Sequence, residues 1–310
     1  MSLTKQRQLD LIETALGEKI LNYLLNDDVI EIMLNPDTKL WIDTLTEGRK
    51  YTGTDILPSS ALRIINLVSS AVETIVNKNN PILSAELPGT GSRFQGMIPP
   101  TVTNPIFTIR KKAIKIFTLN DYLERRSITE KQYLKVCQAV KDRKNILVVG
   151  GTSTGKTTFC NAIINEMAKY DNRIIILEDT QELQCSAKDV VFMKTTDKVT
   201  MRDLIKSTMR FRPDRIMIGE IRGGEALDLL KAWNSGHPGG ICTIHANDCK
   251  SGLEKLEQYI QEVATGSQEK LIASAVDIII TIKKLGTKRY IENIMELKNY
   301  SKDYELFKID

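Results

Sequence analysis

Residues 150–157 read Gly-Gly-Thr-Ser-Thr-Gly-Lys-Thr, which fills the pattern G-x-x-x-x-G-K-[ST]. That spacing is suited to holding phosphate. Gly150, Gly151 and Gly155 let the backbone curl so that its N–H groups face inward. Thr152, Ser153, Thr154 and Thr158 add further N–H groups, and the following helix start favours negative charge. Lys156 is placed to reach β- and γ-phosphates, and the Thr157 hydroxyl suits Mg²⁺. ATP with Mg²⁺ is therefore the expected ligand pair. The flanking residues supply the required frame. Residues 145–149, Asn-Ile-Leu-Val-Val, read as a strand. Phe159, Ile163 and Met167 follow at helical spacing. A Gly-rich surface turn would need neither.

Three more polar groups cluster at the ends of apolar runs. Residues 174–177 end in Glu178, Asp179 and Thr180, with Glu182 close by. Residues 216–218 end in Gly219, Glu220 and Arg222. Residues 241–244 are bracketed by His237 and His245. Phosphoryl transfer needs one carboxylate to orient water and another to hold Mg²⁺, directly or through water. Glu178 is the first candidate base, with Glu220 and Glu182 behind it, and Glu220 together with Thr157 is the expected metal pair. Asp179-Thr180 reads equally well as a helix-start cap. His245 is either catalytic or a neutral core histidine, and His237 either senses phosphate or shapes its loop.

The elements that must position these groups fall into two patterns. Residues 5–25 place Leu9, Ile12, Leu16, Ile20 and Leu24 on one helical face. A hairpin is expected over 29–43 and a long helix from Pro58 to beyond Ile75. Strands are expected at 82–87, 92–98 and 105–110. Residues 1–112 thus form a mixed α/β domain, and 113–120 a linker. From 121 to 310, apolar strands alternate with helices, which implies a buried, mainly parallel sheet. The fold class is α/β: a P-loop nucleotide-binding core preceded by a smaller mixed α/β domain.

Composition bounds the partners. The 43 basic residues exceed the 39 acidic ones by four, too mild an excess to argue for nucleic acid, so no stable direct nucleic-acid binding is expected. Residues 1–7 lack the apolar core of a signal peptide, and the run 273–282 is too short to span a bilayer. A cytoplasmic location is expected. Five cysteines with no C-x-x-C argue against a disulfide framework. His237, Cys242, His245 and Cys249 fit no familiar zinc spacing.

Residues 177–180 (Leu-Glu-Asp-Thr), 210–222 (Arg-Phe-Arg-Pro-Asp-Arg-Ile-Met-Ile-Gly-Glu-Ile-Arg) and 236–245 (Gly-His-Pro-Gly-Gly-Ile-Cys-Thr-Ile-His) resemble the Asp box, Walker B signature and His box of the secretion ATPases. The resemblance spans about residues 25–285. It implies a RecA-like ATPase domain, a homo-oligomeric ring of six, and Mg²⁺-dependent ATP hydrolysis. It also implies inner-membrane partners in a secretion or conjugation channel, with peripheral membrane association through them. Residues 31–43 and 235–240 are similar to the Trb-type conjugal transfer branch. The four-cysteine insertion of the type II branch is absent, and the segment before His245 departs from the pilus motors. Gly223 stands where the superfamily commonly has Asp, so no metal or sensor role is carried over to it. The alternatives are a pilus or type II motor, a nucleotide-gated scaffold that does not hydrolyse, and a helicase on the same core. An arginine must also offset the charge that builds in the transition state. Arg110 and Arg93, on strands ahead of the linker, are the candidates; Arg202, Arg210, Arg212 and Arg222 surround Walker B.

Overall fold

The computed structural model describes residues 3–112 and 117–309. They form two compact units, residues 1–114 and 115–310. The expected linker lies partly outside the described residues, and its last two positions already belong to a helix.

The first unit is a sheet covered by two helices. Helix α1 (Leu3–Leu25) breaks at Gly17, whose φ of 73° and ψ of 164° are not helical. Ile12, Leu16, Ile20 and Leu24 are buried at the expected spacing. Strands β1 (Val29–Leu34), β2 (Lys39–Thr44) and β3 (Gly48–Asp55) form a meander. Helix α2 (Pro58–Ala71) follows, then β4 (Ile82–Leu87), β5 (Ser92–Met97) and β6 (Ile106–Arg110). The sheet order is β3-β2-β1-β6-β5-β4, antiparallel at every pairing. Helix α2 is shorter than the sequence suggests. The chain turns at Glu73, with φ 56°, and the Thr74 N–H bonds Ser69 O, which leaves Ile75 exposed. Strand β3 was not anticipated. Gly-Arg-Lys-Tyr-Thr-Gly-Thr-Asp has no apolar alternation, and the β2 register holds it as an edge.

Alternation separates the sheet's two faces. Ile32, Leu34, Phe94, Phe107 and Ile109 join α1 and α2 in one core. The opposite face carries a transverse row, one residue per strand: Arg49, Asp43, Glu31, Arg110, Arg93 and Glu86. Arg110 and Arg93 stand directly opposite one another. Like charges in that position repel. Burial holds the Glu31 carboxyl above its ordinary pKa, and the Arg110 charge pulls it back.

The second unit is doubly wound. In chain order it contains α3 (Leu119–Glu124), α4 (Glu130–Lys141), β7 (Ile146–Val149), α5 (Lys156–Met167), β8 (Arg173–Glu178) and β9 (Asp189–Lys194). Then come α6 (Met201–Thr208), β10 (Arg215–Ile218), α7 (Glu225–Asn234), β11 (Ile241–Ile244) and α8 (Cys249–Gln261). The chain continues through α9 (Glu269–Ala275), β12 (Ile278–Leu285), β13 (Lys288–Tyr300) and β14 (Tyr304–Lys308). The sheet order is β14-β13-β12-β7-β11-β10-β8-β9. Strands β12 to β9 in that order are parallel; β13 and β14 add an antiparallel edge. Every residue of β7, β10 and β11 is buried, because helices cover both faces. This is the expected class, a mainly parallel α/β core preceded by a smaller mixed α/β domain.

The strand starts are pinned by buried polar groups. Asn145 Oδ1 accepts the Gly239 and Gly240 N–H groups at 2.8 and 3.0 Å, and its Nδ2 donates to Ala275 O at 2.7 Å. Arg215 donates to Gly239 O and Val140 O, and no carboxylate pairs with it among the described residues. Burial, with Arg143 nearby, lowers its pKa to about 10. These ties fix β7, β10 and β11 at one edge, so their far ends present a fixed rim.

Candidate active site

The phosphate-binding loop sits at the C-terminal end of β7, where the parallel strands of such sheets carry their ligands. Gly155 caps α5 with φ 94°, and Ser153 also has positive φ, at 58°. The Thr154 hydroxyl donates to Gly151 O at 2.9 Å and closes the turn. Thr152, Thr157 and Thr158 complete the loop and the first turn of α5. Lys156 is buried. Its ammonium lies 2.8 Å from Gly150 O, 3.0 Å from Gly151 O and 3.2 Å from His245 Nδ1.

A lysine ammonium only donates, so Nδ1 of His245 is the acceptor and its proton sits on Nε2. Nε2 lies 2.6 Å from Glu220 Oε1, a buried oxygen with no other hydrogen-bond donor on it among the described residues. The other oxygen, Oε2, accepts from Arg222 Nε at 2.8 Å. Lys156, His245 and Glu220 thus form one chain from the loop to the end of β10. Burial, and then the Lys156 charge, hold the His245 pKa below its ordinary 6.5, against the pull of Glu220. The neutral tautomer fits both contacts.

Backbone ties keep this chain in place. The Thr243 hydroxyl donates to Gly219 O at 2.7 Å, and the Ile221 N–H donates to Thr243 O at 2.9 Å. These stitch the loop carrying Glu220 to β11, directly ahead of His245. Gly219 allows a close approach: a Cβ there would meet Glu178 Cγ at 2.9 Å.

Glu178 is buried at the end of β8, but the geometry gives it a supporting contact. Its Oε1 accepts the Glu182 and Leu183 N–H groups at 3.0 and 2.9 Å. It holds the loop that places Glu182 against the phosphate-binding loop, where the Thr157 hydroxyl donates to Glu182 Oε2 at 3.3 Å. Asn161 on α5 braces the same loop, accepting the Gln184 N–H at 2.9 Å. The carboxylate in contact with Thr157, one half of the expected metal pair, is Glu182. Glu182 faces Thr157, whereas Glu220 is turned to His245 and Arg222. Sequence order hid this, because Glu182 lies beyond the strand end and only Asn161 and Glu178 bring it back.

Two further placements differ from expectation. His237 precedes β11, so it lies at the opposite end of that strand from His245, with Nδ1 2.9 Å from Pro213 O. It shapes the strand-start edge and is away from the phosphate loop. No helix follows Asp179; it accepts from Thr195 Oγ1 at 3.0 Å and pairs with Arg222 at 3.3 Å. Arg202 pairs with Asp228 between α6 and α7, while Arg210 and Arg212 precede β10 at the far edge. Arg110 and Arg93 lie in the first unit, side by side in the charged row.

The donor set suits Mg²⁺: a threonine hydroxyl and a carboxylate at the mouth of an amide-lined loop are hard oxygen ligands. Free thiols are no competitors, since burial raises the pKa of Cys160 and Cys242 and keeps both protonated.

The chain is similar to several known proteins. A conjugal transfer protein TrbB of Rhizobium radiobacter is 43% identical over 295 residues, covering 94% of this chain and 91% of that one. A type IV secretion system protein VirB11 of Bartonella henselae is 32% identical over 325 residues, covering 89% and 90%. Among solved structures, the Legionella pneumophila ATPase DotB superposes with a TM-score of 0.64 at 16% identity, over 87% of this chain and 77% of that one, which marks the shared RecA-like fold. The family model described as type II/IV secretion system protein matches residues 14–296, and the chain belongs to that family, on its Trb-type conjugal transfer side.

Proposed function

We propose that this chain is a Mg²⁺-dependent ATPase that works as a ring of identical subunits and powers conjugative transfer or type IV secretion. One observation carries the reading: Lys156, His245 and Glu220 are joined at the rim of three adjacent parallel strands. The homologous transfer and secretion proteins support the biological setting, and the ring of six rests on resemblance to the family. Membrane contact would come through inner-membrane partners of the channel. No helix among the described residues is long and apolar enough to cross a membrane.

In this reading the loop N–H groups and Lys156 bind the β- and γ-phosphates. Thr157 and Glu182 would hold Mg²⁺, which supplies charge neutralisation at the phosphates when bound. Glu220, aimed by Arg222 and by His245 Nε2–H, orients the attacking water. Glu178 fixes the loop of Glu182. Arg110, with Arg93 beside it, is the proposed source of positive charge for the γ-phosphate. The full chain should release phosphate steadily from ATP when Mg²⁺ is present and stop when it is chelated. Sedimentation should show larger assemblies with a non-hydrolysable ATP analogue. ATP binding without turnover would favour the scaffold alternative, and a strictly monomeric species at high concentration would count against a motor.

The finger assignment has its own test. Arg110→Lys keeps the charge but loses the planar two-pronged donor. Turnover should fall at least tenfold, about 1.4 kcal/mol of transition-state stabilisation. ADP affinity should hardly change, because ADP lacks the γ-phosphate. Equal loss of both would make Arg110 structural and leave Arg93 as the finger.

The pH profile follows from His245. Its folded pKa lies below the ordinary 6.5, so the neutral form persists through the usual imidazole range. Turnover should hold there and fall only at more acid pH, when a protonated ring can no longer accept from Lys156. The stabilising share of this group has the same sign: present above 6.5, and lost as pH falls toward the depressed value. His245→Gln should shift or erase the acid limb of its residual rate. An unchanged limb would exclude His245 as its source.

A further inference from the structure

We propose that Arg289 is a second cation of the phosphate-binding loop, contacting the α- and β-phosphates of a bound nucleotide. The inference rests on the nucleotide reading above and adds a residue that lies outside every motif discussed so far.

The placement comes from the β12–β13 hairpin. Strand β12 runs parallel to β7, with Thr281 beside Val149. It therefore reaches the rim alongside the loop that leaves β7. The hairpin then flanks that loop at both ends. A Cβ on Gly150 would lie 2.7 Å from Ile282 O, and a Cβ on Gly155 would lie 2.9 Å from Arg289 Cδ and 3.4 Å from its Nε. Arg289 sits opposite Lys284 in the hairpin ladder, so its backbone is fixed by paired strands. Its stem packs over Gly155, the left-handed residue from which α5 starts.

The electrostatics fit an anion at this point. Among the described residues Arg289 makes one polar bond, from Nη1 to Thr287 O, which at 3.4 Å is long. No carboxylate pairs with it among the described residues. The site's other cations are engaged: Arg222 bonds Glu220 and Asp179, and Lys156 bonds Gly150 O, Gly151 O and His245. Burial raises the pKa of the nearby Tyr122 phenol, and the Arg289 and Arg125 charges pull it back. The N–H groups at the start of α5 hold the inner phosphates. A guanidinium over Gly155 therefore meets charge that ADP and ATP share, unlike Arg110, which is assigned to the γ-phosphate.

Direct binding tests this on the full chain, by calorimetry with ADP, ATP and inorganic pyrophosphate as separate probes. Arg289→Ala should weaken all three about tenfold, with thermal melting near that of the wild type. Arg289→Lys should recover part of the loss, because a point charge remains. The gap between wild type and Arg289→Ala should narrow at high salt, since the contact is partly exposed. Arg289→Gln keeps the packed stem and serves if the alanine variant folds poorly. Wild-type affinity for ADP and pyrophosphate in both neutral variants would overturn the proposal. So would loss of ADP binding with pyrophosphate unchanged, which would move Arg289 to the ribose or base. A wild-type chain that binds no nucleotide at all, with Lys156→Ala indistinguishable from it, would instead sink the nucleotide reading itself.

Discussion

Lys156→Ala should abolish measurable ATP hydrolysis, a loss of at least a thousandfold, or about 4 kcal/mol of transition-state stabilisation. Three facts make this the largest single effect expected. The ammonium is buried in the curl of the loop, where a charge acts with little screening by water. It stands at the position from which such loops reach β- and γ-phosphates. It is also the link between the loop and His245. Removing it takes away the phosphate partner and unhooks the imidazole that aims Glu220. ATP and ADP affinity should both fall, because the β-phosphate is common to them. Phosphate-release kinetics and nucleotide titration on one preparation check this. A variant that keeps more than a tenth of the wild-type rate would remove Lys156 from the chemistry.

The second unit was readable because its signals are local. Short apolar strands, several with a polar residue at or just beyond the end, announce a parallel sheet. The phosphate-binding loop names the edge where Glu178, Glu220 and His245 end up. Contacts between segments distant in sequence were not readable. Glu182 reaches Thr157 only because Glu178 and Asn161 hold the intervening loop. Arg289 lies 134 residues after Gly155 and meets it through a strand order no periodicity reveals. The two roles open to His237 separate for a related reason. Bracketing a strand with two histidines says nothing about which end faces the site until the strand direction is set, and β11 runs parallel to β7. In the first unit, Arg93 and Arg110 looked like rival candidates along the chain, yet the antiparallel register sets them opposite each other.

The buried Glu178 and the half-buried Glu220 separate in a paired experiment. Glu220→Gln should lower kcat at least a hundredfold, within the usual worth of a positioned general base. Glu220 Oε2 accepts from Arg222, and Oε1 faces His245 Nε2–H. An amide keeps only one acceptor oxygen. Its NH₂ must point at a donor on one side or the other, so the side chain turns away or the imidazole does. ATP binding should survive within a few fold, because the loop and Lys156 are untouched, and the variant should hold ATP without turning it over. Glu178→Gln should behave differently. Its Oε1 accepts two backbone N–H groups, and a glutamine carbonyl oxygen can still accept both, though more weakly than a carboxylate. The rate should drop less than tenfold. Glu178→Ala, which strips the support from the loop of Glu182, should weaken Mg²⁺ dependence and rate together. Steady-state turnover with ATP affinity on all three variants decides the roles. If Glu178→Gln traps ATP while Glu220→Gln still turns over, Glu178 is the base and Glu220 the residue that keeps His245 in register with Lys156.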